Sequence, residues 1–167
     1  MAPPSRSRNY TWDDPKAGAM AGRTLSGLDY MRAVQSGGQP KPPIAATLDF
    51  TLLSVAVGDV VFACTPGEHH YNPIGMVHGG LAATLIDSAT GCAVHTQLPA
   101  GVGYTTINLS IDYIKAITDE VGEIRCHGKV VKAGGRIAIA DATITDAKGT
   151  VYARGSATCL IIRPEAK

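Results

Sequence analysis

Asp87 carries the only formal charge between His78 and His95. The run around it, Leu81-Ala82-Ala83-Thr84-Leu85-Ile86-Asp87-Ser88-Ala89, otherwise reads as a buried helix. A carboxylate on so apolar an element is costly unless it is paired, hydrogen-bonded or used in chemistry. Gly79-Gly80 opens the same helix. Bare backbone N–H groups there sit at the positive end of the helix dipole and suit an anionic oxygen. An oxyanion site and a buried carboxylate on one element suggest acyl chemistry. Fixed N–H donors stabilise the charge that develops on a carbonyl oxygen. A carboxylate can activate water or attack the carbonyl itself.

The elements that must position these groups follow from periodicity. Residues 1–20 are rich in Pro, Ser and charge, show no period, and read as a flexible N-terminal arm. Arg23 to Gln35 can form a helix with Leu25, Leu28, Tyr30 and Met31 as apolar contacts, stopped by Ser36-Gly37-Gly38. The period then changes to two. Ile44 to Val57 is β-rich, and Gly58-Asp59 turns the chain into a second strand, Val60 to Cys64. Glu68 to Gly75 reads as a solvated loop carrying His69 and His70. The apolar helix spans about Gly79 to His95.

Four strand-like runs follow: Tyr104 to Ile114, Gly122 to Val131, Arg136 to Thr145 and Thr150 to Ile162. In the first, Ile107, Leu109, Ile111 and Tyr113 alternate with Thr106, Asn108, Ser110 and Asp112, predicting one apolar and one polar face. Two strands, one helix and four hairpin-connected strands call for an α+β fold, an antiparallel sheet packed on a central helix. A helix apolar nearly all round needs a curved sheet around it or a second subunit.

Composition narrows the function classes. A chain of 167 residues with 45% hydrophobic and 17% charged residues has the makings of one proper core. A net charge of +1 and 5% aromatics give no basis for a nucleic-acid partner. No apolar run reaches the ~18 residues of a membrane span, so no membrane partner is expected. Residues Met1 to Arg6 lack the apolar stretch of a secretory signal. Cys64, Cys92, Cys126 and Cys159 lack zinc or redox spacing and read as reduced core residues of a cytoplasmic protein. His69, His70, His95 and His127 show no metal-ligand pattern, and no cofactor is expected. Lys132-Ala133-Gly134-Gly135-Arg136 is the best phosphate candidate, with glycines for close backbone approach and Arg136 for a bidentate grip. Lys115 is a weaker one.

The segment Asn72-Pro73-Ile74-Gly75-Met76-Val77-His78-Gly79-Gly80, with Asp87 eight residues after Gly79, strongly resembles the hotdog-fold acyl-CoA thioesterases, most closely the PaaI-like branch. The resemblance covers roughly Ala45 to Ile162. It implies a hotdog domain over residues 21–163, a long central helix wrapped by a curved antiparallel sheet. It also implies hydrolysis of an acyl-CoA to free acid and CoA. On it, Gly79 donates its backbone N–H to the thioester oxygen, and Asn72 and His78 belong to the same loop. Asp87 serves as general base or nucleophile, and Thr106 helps hold the attacking water. CoA would lie near Lys132, Gly134, Gly135 and Arg136. A non-catalytic acyl-CoA-binding protein and an enoyl-CoA hydratase or dehydratase of the same fold are the alternatives. Phe50, Leu52, Leu53 and the helix before the first strand are candidates for lining the acyl pocket.

Helix geometry adds a constraint. Eight residues at ~1.5 Å each separate Gly79 from Asp87 by about 12 Å along the axis. Oxyanion donor and water-activating base must both come within about 3 Å of one carbonyl group. Two antiparallel copies of the helix, related by a two-fold axis, can satisfy this where one cannot. A homodimer, or a dimer of dimers, is therefore expected.

Overall fold

The computed structural model describes residues 5–164; residues 1–4 of the expected arm lie outside them. Helix α4, Gly79–His95, is the centre of the molecule. Its start is set by the His78 side chain, which accepts the Gly80 N–H at 2.8 Å. No residue of α4 is classed as exposed, and Leu85, Ile86, Ala89 and Ala93 are wholly buried. Each large side chain so buried contributes about 1.5–3 kcal/mol.

A six-stranded antiparallel sheet wraps this helix. Its strands are β1 (Phe50–Ala56), β2 (Asp59–Cys64), β3 (Gly103–Tyr113), β4 (Ile124–Ala133), β5 (Ile137–Asp146) and β6 (Val151–Ile162). The spatial order is β1-β2-β4-β5-β6-β3, so β3 forms one edge. Helix α4 packs against β2 through β6. The core between them joins Leu81, Leu85 and Ile86 to Val60, Phe62, Ile124, Cys126 and Ile144. This is the hotdog architecture the sequence implied, including the span of α4.

Helix and sheet approach closely at Gly128 on β4. A methyl there would overlap the Ala89 carbonyl group. Gly128→Ala is therefore expected to destabilise the fold by at least about 1–3 kcal/mol, the usual cost of overpacking. A lowered urea midpoint with an unchanged slope would report it; an unchanged midpoint would contradict the packing.

Four local features depart from the periodicity. Pro15–Thr24 is a helix, α1, although residues 1–20 show no period. Asp14 caps it, accepting the Lys16 N–H at 2.9 Å. Its packing face carries Gly18 and Gly22, which leave no apolar signature. Helix α2 spans Gly27–Ser36 and begins later than Arg23, because Ser26 caps it by accepting the Asp29 N–H. Pro43–Leu48 is a short helix, α3, where strand was expected. Pro43 starts it, and Asp49 ends it in the left-handed region at φ 54°.

The fourth departure matters most for the site. The register of β3 against β6 shifts between Thr106 and Asn108, a β-bulge at Ile107. The simple alternation therefore fails. Tyr104 and Thr106 before the bulge face α4, as do Leu109 and Ile111 after it. Ile107 is 56% exposed. A bulge inserts one residue and re-aims the side chains beyond it. A similar shift in β1 skips Leu53 and leaves it exposed, so Leu53 does not line a pocket, whereas Phe50 and Leu52 do.

Candidate active site

The structure places the sequence-derived site residues in two groups at different points along α4. The first group is the loop leading into the helix. Asn72 accepts the N–H groups of Ile74 and Met76 on its side-chain oxygen, both at 3.1 Å. Its backbone N–H donates to the Met76 carbonyl at 2.7 Å. These bonds close the loop tightly and leave the Asn72 amide NH2 as its outward donor. His78 is exposed, and its Nδ1 accepts from Gly80. With Nδ1 occupied, the neutral ring carries its proton on Nε2, ready to donate. A methyl at Gly80 would sit 2.8 Å from Nδ1, so glycine lets the ring take this place without a shift. Gly79 takes the first helical position, where the N–H has no intrahelical acceptor.

Asn72, His78 and Gly79 line one cleft of about 290 Å³. Tyr113, Lys115 and Tyr152 line it as well. In the sequence Tyr113 reads only as one apolar-face residue of its strand, with no part in the site. Its hydroxyl donates to the Gly79 carbonyl at 3.2 Å, and its ring covers the place a Gly79 side chain would fill. Nothing in an alternating strand distinguishes such a tyrosine from its neighbours. Lys115 lies 5.6 Å from the Tyr152 ring centroid, so the weaker phosphate candidate sits on this cleft.

His70 corrects the expectation of a solvated loop. It is 6% exposed. Its Nδ1 accepts the Gly67 N–H at 3.1 Å, and its Nε2–H donates to the Leu48 carbonyl at 3.0 Å. Burial, and next the nearby His69, lower its pKa below the ordinary histidine value. The His70 carbonyl accepts the His78 N–H at 2.7 Å, so this neutral histidine pins the chain entering α4.

The second group is Asp87 and Thr106. The Thr106 hydroxyl donates to one Asp87 carboxylate oxygen at 2.8 Å. The bulge at Ile107 delivers Thr106 to this position. No hydrogen bond from a described residue reaches the other oxygen, which leaves it able to accept from water. Thr84, another hydroxyl on the helix, donates instead to the Gly80 carbonyl.

Gly134, Gly135 and Arg136 form the exposed β4–β5 hairpin turn, and Lys132 is exposed near the end of β4. Arg163 donates to the Gly135 carbonyl there at 3.4 Å. Among the described residues none of Lys132, Arg136 and Arg163 forms an ion pair. The turn does not line the cleft beside Gly79.

Fold and site define a hotdog enzyme scaffold with an anion-ready helix start and a hydrogen-bonded carboxylate farther along the helix. The thioesterase superfamily model matches residues 74–153, from the Asn72 loop to the start of β6. Human acyl-coenzyme A thioesterase 13 is 33% identical over 110 residues, 65% of this chain and 76% of that protein. A Halobacterium salinarum relative is 33% identical over 108 residues, 60% of this chain and 66% of its own length, just under two thirds. The E. coli PaaI structure superposes with a TM-score of 0.70 at 20% identity, covering 83% of this chain and 96% of that one. The chain belongs to the thioesterase superfamily, and thioester hydrolase is its enzyme class.

Proposed function

We propose that this protein is an acyl-CoA thioesterase whose two active sites form between two copies of the chain. The observation that carries the reading is Asp87 on an otherwise apolar helix, hydrogen-bonded to Thr106 of β3. A purely structural helix has no use for that carboxylate. In this reading Asp87 takes a proton from a water bridged to Thr106, and the water oxygen attacks the thioester carbonyl. The carbonyl oxygen gathers negative charge, which the Gly79 N–H stabilises, with Asn72 and His78 donating nearby. The tetrahedral intermediate then expels CoA as its thiolate, which takes up a proton, and the free acid leaves. Direct attack by Asp87, giving an anhydride that water opens, uses the same groups.

Two features support the dimer. Strand β3 is a sheet edge, and Ile107 and Tyr113 on it and Ile114 just after it are 56%, 59% and 54% exposed. Beside it, Ala83, Thr84, Asp87 and Ser88 of α4 remain only half-buried. A second copy laid antiparallel would cover both. In such a dimer Asn72, His78 and Gly79 come from one chain, and Asp87 and Thr106 from the other. Lys115 would steady the CoA end of the substrate at the cleft, and Lys132, Gly134, Gly135 and Arg136 would hold its phosphates. All four cysteines are free, which suits a reducing cytoplasm. No helix among the described residues is long and apolar enough to cross a membrane.

The test is a panel of acyl-CoA esters assayed for released thiol. Steady turnover of at least one ester is expected. Tight binding with no thiol release would mean an acyl-CoA-binding protein, and hydration of an enoyl-CoA without thiol release would mean a hydratase.

A further inference from the structure

A second cavity, of about 560 Å³, has Ser88, the residue after Asp87, in its wall. Ser88, Cys92 and His95 line it, spaced i, i+4 and i+7, so one face of α4 forms a continuous wall. Seven residues of rise make that wall about 10 Å long. Met31 and Val34 of α2 and Phe50 of β1 close the opposite side. No Asp or Glu lines the cavity, and its two cationic residues, Arg23 and Lys41, are exposed.

The far end is aromatic. The His95 ring lies 5.6 Å from Tyr30 of α2 and 5.5 Å from Tyr104 of β3, centroid to centroid. Tyr30 is held from outside by α1. A methyl at Gly18 would come within 3.3 Å of the Tyr30 hydroxyl, and one at Gly22 within 3.8 Å of its ring. Two glycines one turn apart thus let α1 lie directly on the ring and keep it turned inward.

We propose that this cavity holds the acyl chain and that Tyr30 is the end stop that sets how much chain fits. The inference rests on the thioesterase reading above. Position supports it, because Ser88, the residue after Asp87 on α4, stands in the cavity wall. Chemistry supports it too. Burial pushes the Cys92 thiol up to about 12 and lowers His95, so neither carries charge at neutral pH. A mostly apolar cavity wall with no charge along α4 takes a hydrocarbon chain.

The test uses Tyr30→Ala and Tyr30→Trp with two ligand series from acetyl to palmitoyl length. One series is saturated acyl-CoA esters, read as kcat/KM. The other is S-alkyl-CoA thioethers, which cannot be hydrolysed, read as Kd by calorimetry. Both profiles should rise with length to a maximum in the wild type. Tyr30→Ala should move the maximum to longer chains and improve the first chain beyond the wild-type limit by about tenfold, the effect of roughly two more buried methylenes. Tyr30→Trp should move it to shorter chains. If Tyr30→Ala fails to fold, Tyr30→Trp and Gly18→Ala, which presses on the ring, still decide the matter. Wild-type profiles in both series for these variants would overturn the proposal. Shifted thioether profiles with no ester hydrolysed would uphold the pocket and overturn the thioesterase reading instead.

Discussion

Asp87→Asn is expected to lower kcat by at least about 100-fold while leaving substrate binding nearly intact. Asparagine keeps the shape of the side chain, and its oxygen can still accept from Thr106, whose hydroxyl donates to Asp87 at 2.8 Å. What it loses is the ability to take a proton or to attack as a carboxylate. Positioned general bases contribute about 10²–10⁴-fold, so the loss should fall at or above the lower end of that range. The helix should not suffer, since the substitution removes a charge from an apolar element rather than adding one. Single-turnover measurements with Kd determined separately would check both halves of the expectation. A variant that keeps most of its kcat would remove Asp87 from the mechanism.

Activity should return when two inactive proteins are mixed. One is Asp87→Asn. The other combines Asn72→Ala with His78→Ala and so damages the helix-start side of the site. Each homodimer has two crippled sites. A mixed dimer has one site with both lesions and one site with none, so it should show roughly half of wild-type activity. The reason lies in α4. Gly79 opens the helix and Asp87 bonds β3 two turns later, so a single chain holds the two groups apart. Asn72→Ala also removes the acceptor for the Ile74 and Met76 N–H groups. The doubly substituted protein should therefore be checked for folding before mixing. Subunit exchange confirmed by mass spectrometry, with no recovery of activity, would refute the shared site.

Much of this molecule could be read from its residues in order. Helix α4 was legible end to end because burial on most sides demands a largely apolar run, and His78 and the Leu98-Pro99 segment bound it. The strands were legible because half-buried sheets alternate and hairpin turns carry Gly, Asp and Asn. Asp87 stood out for the same physical reason, as one charge in a segment that otherwise excludes charge. Tertiary structure alone decided the rest. A bulge at Ile107 changes nothing in composition, yet it turns Thr106 toward Asp87 and breaks the alternation that separated Thr106 from Leu109. Burial of His70 depends on the Leu48 carbonyl, twenty-two residues away in sequence. Helix α1 packs through glycines, which carry no hydrophobic signal, so only the place of Tyr30 beside Gly18 and Gly22 reveals it. Local propensity and periodicity report what a residue does to its own segment. Where two distant segments touch is set by packing, and it is packing that pairs Asp87 with Thr106 and closes the cavity beside them.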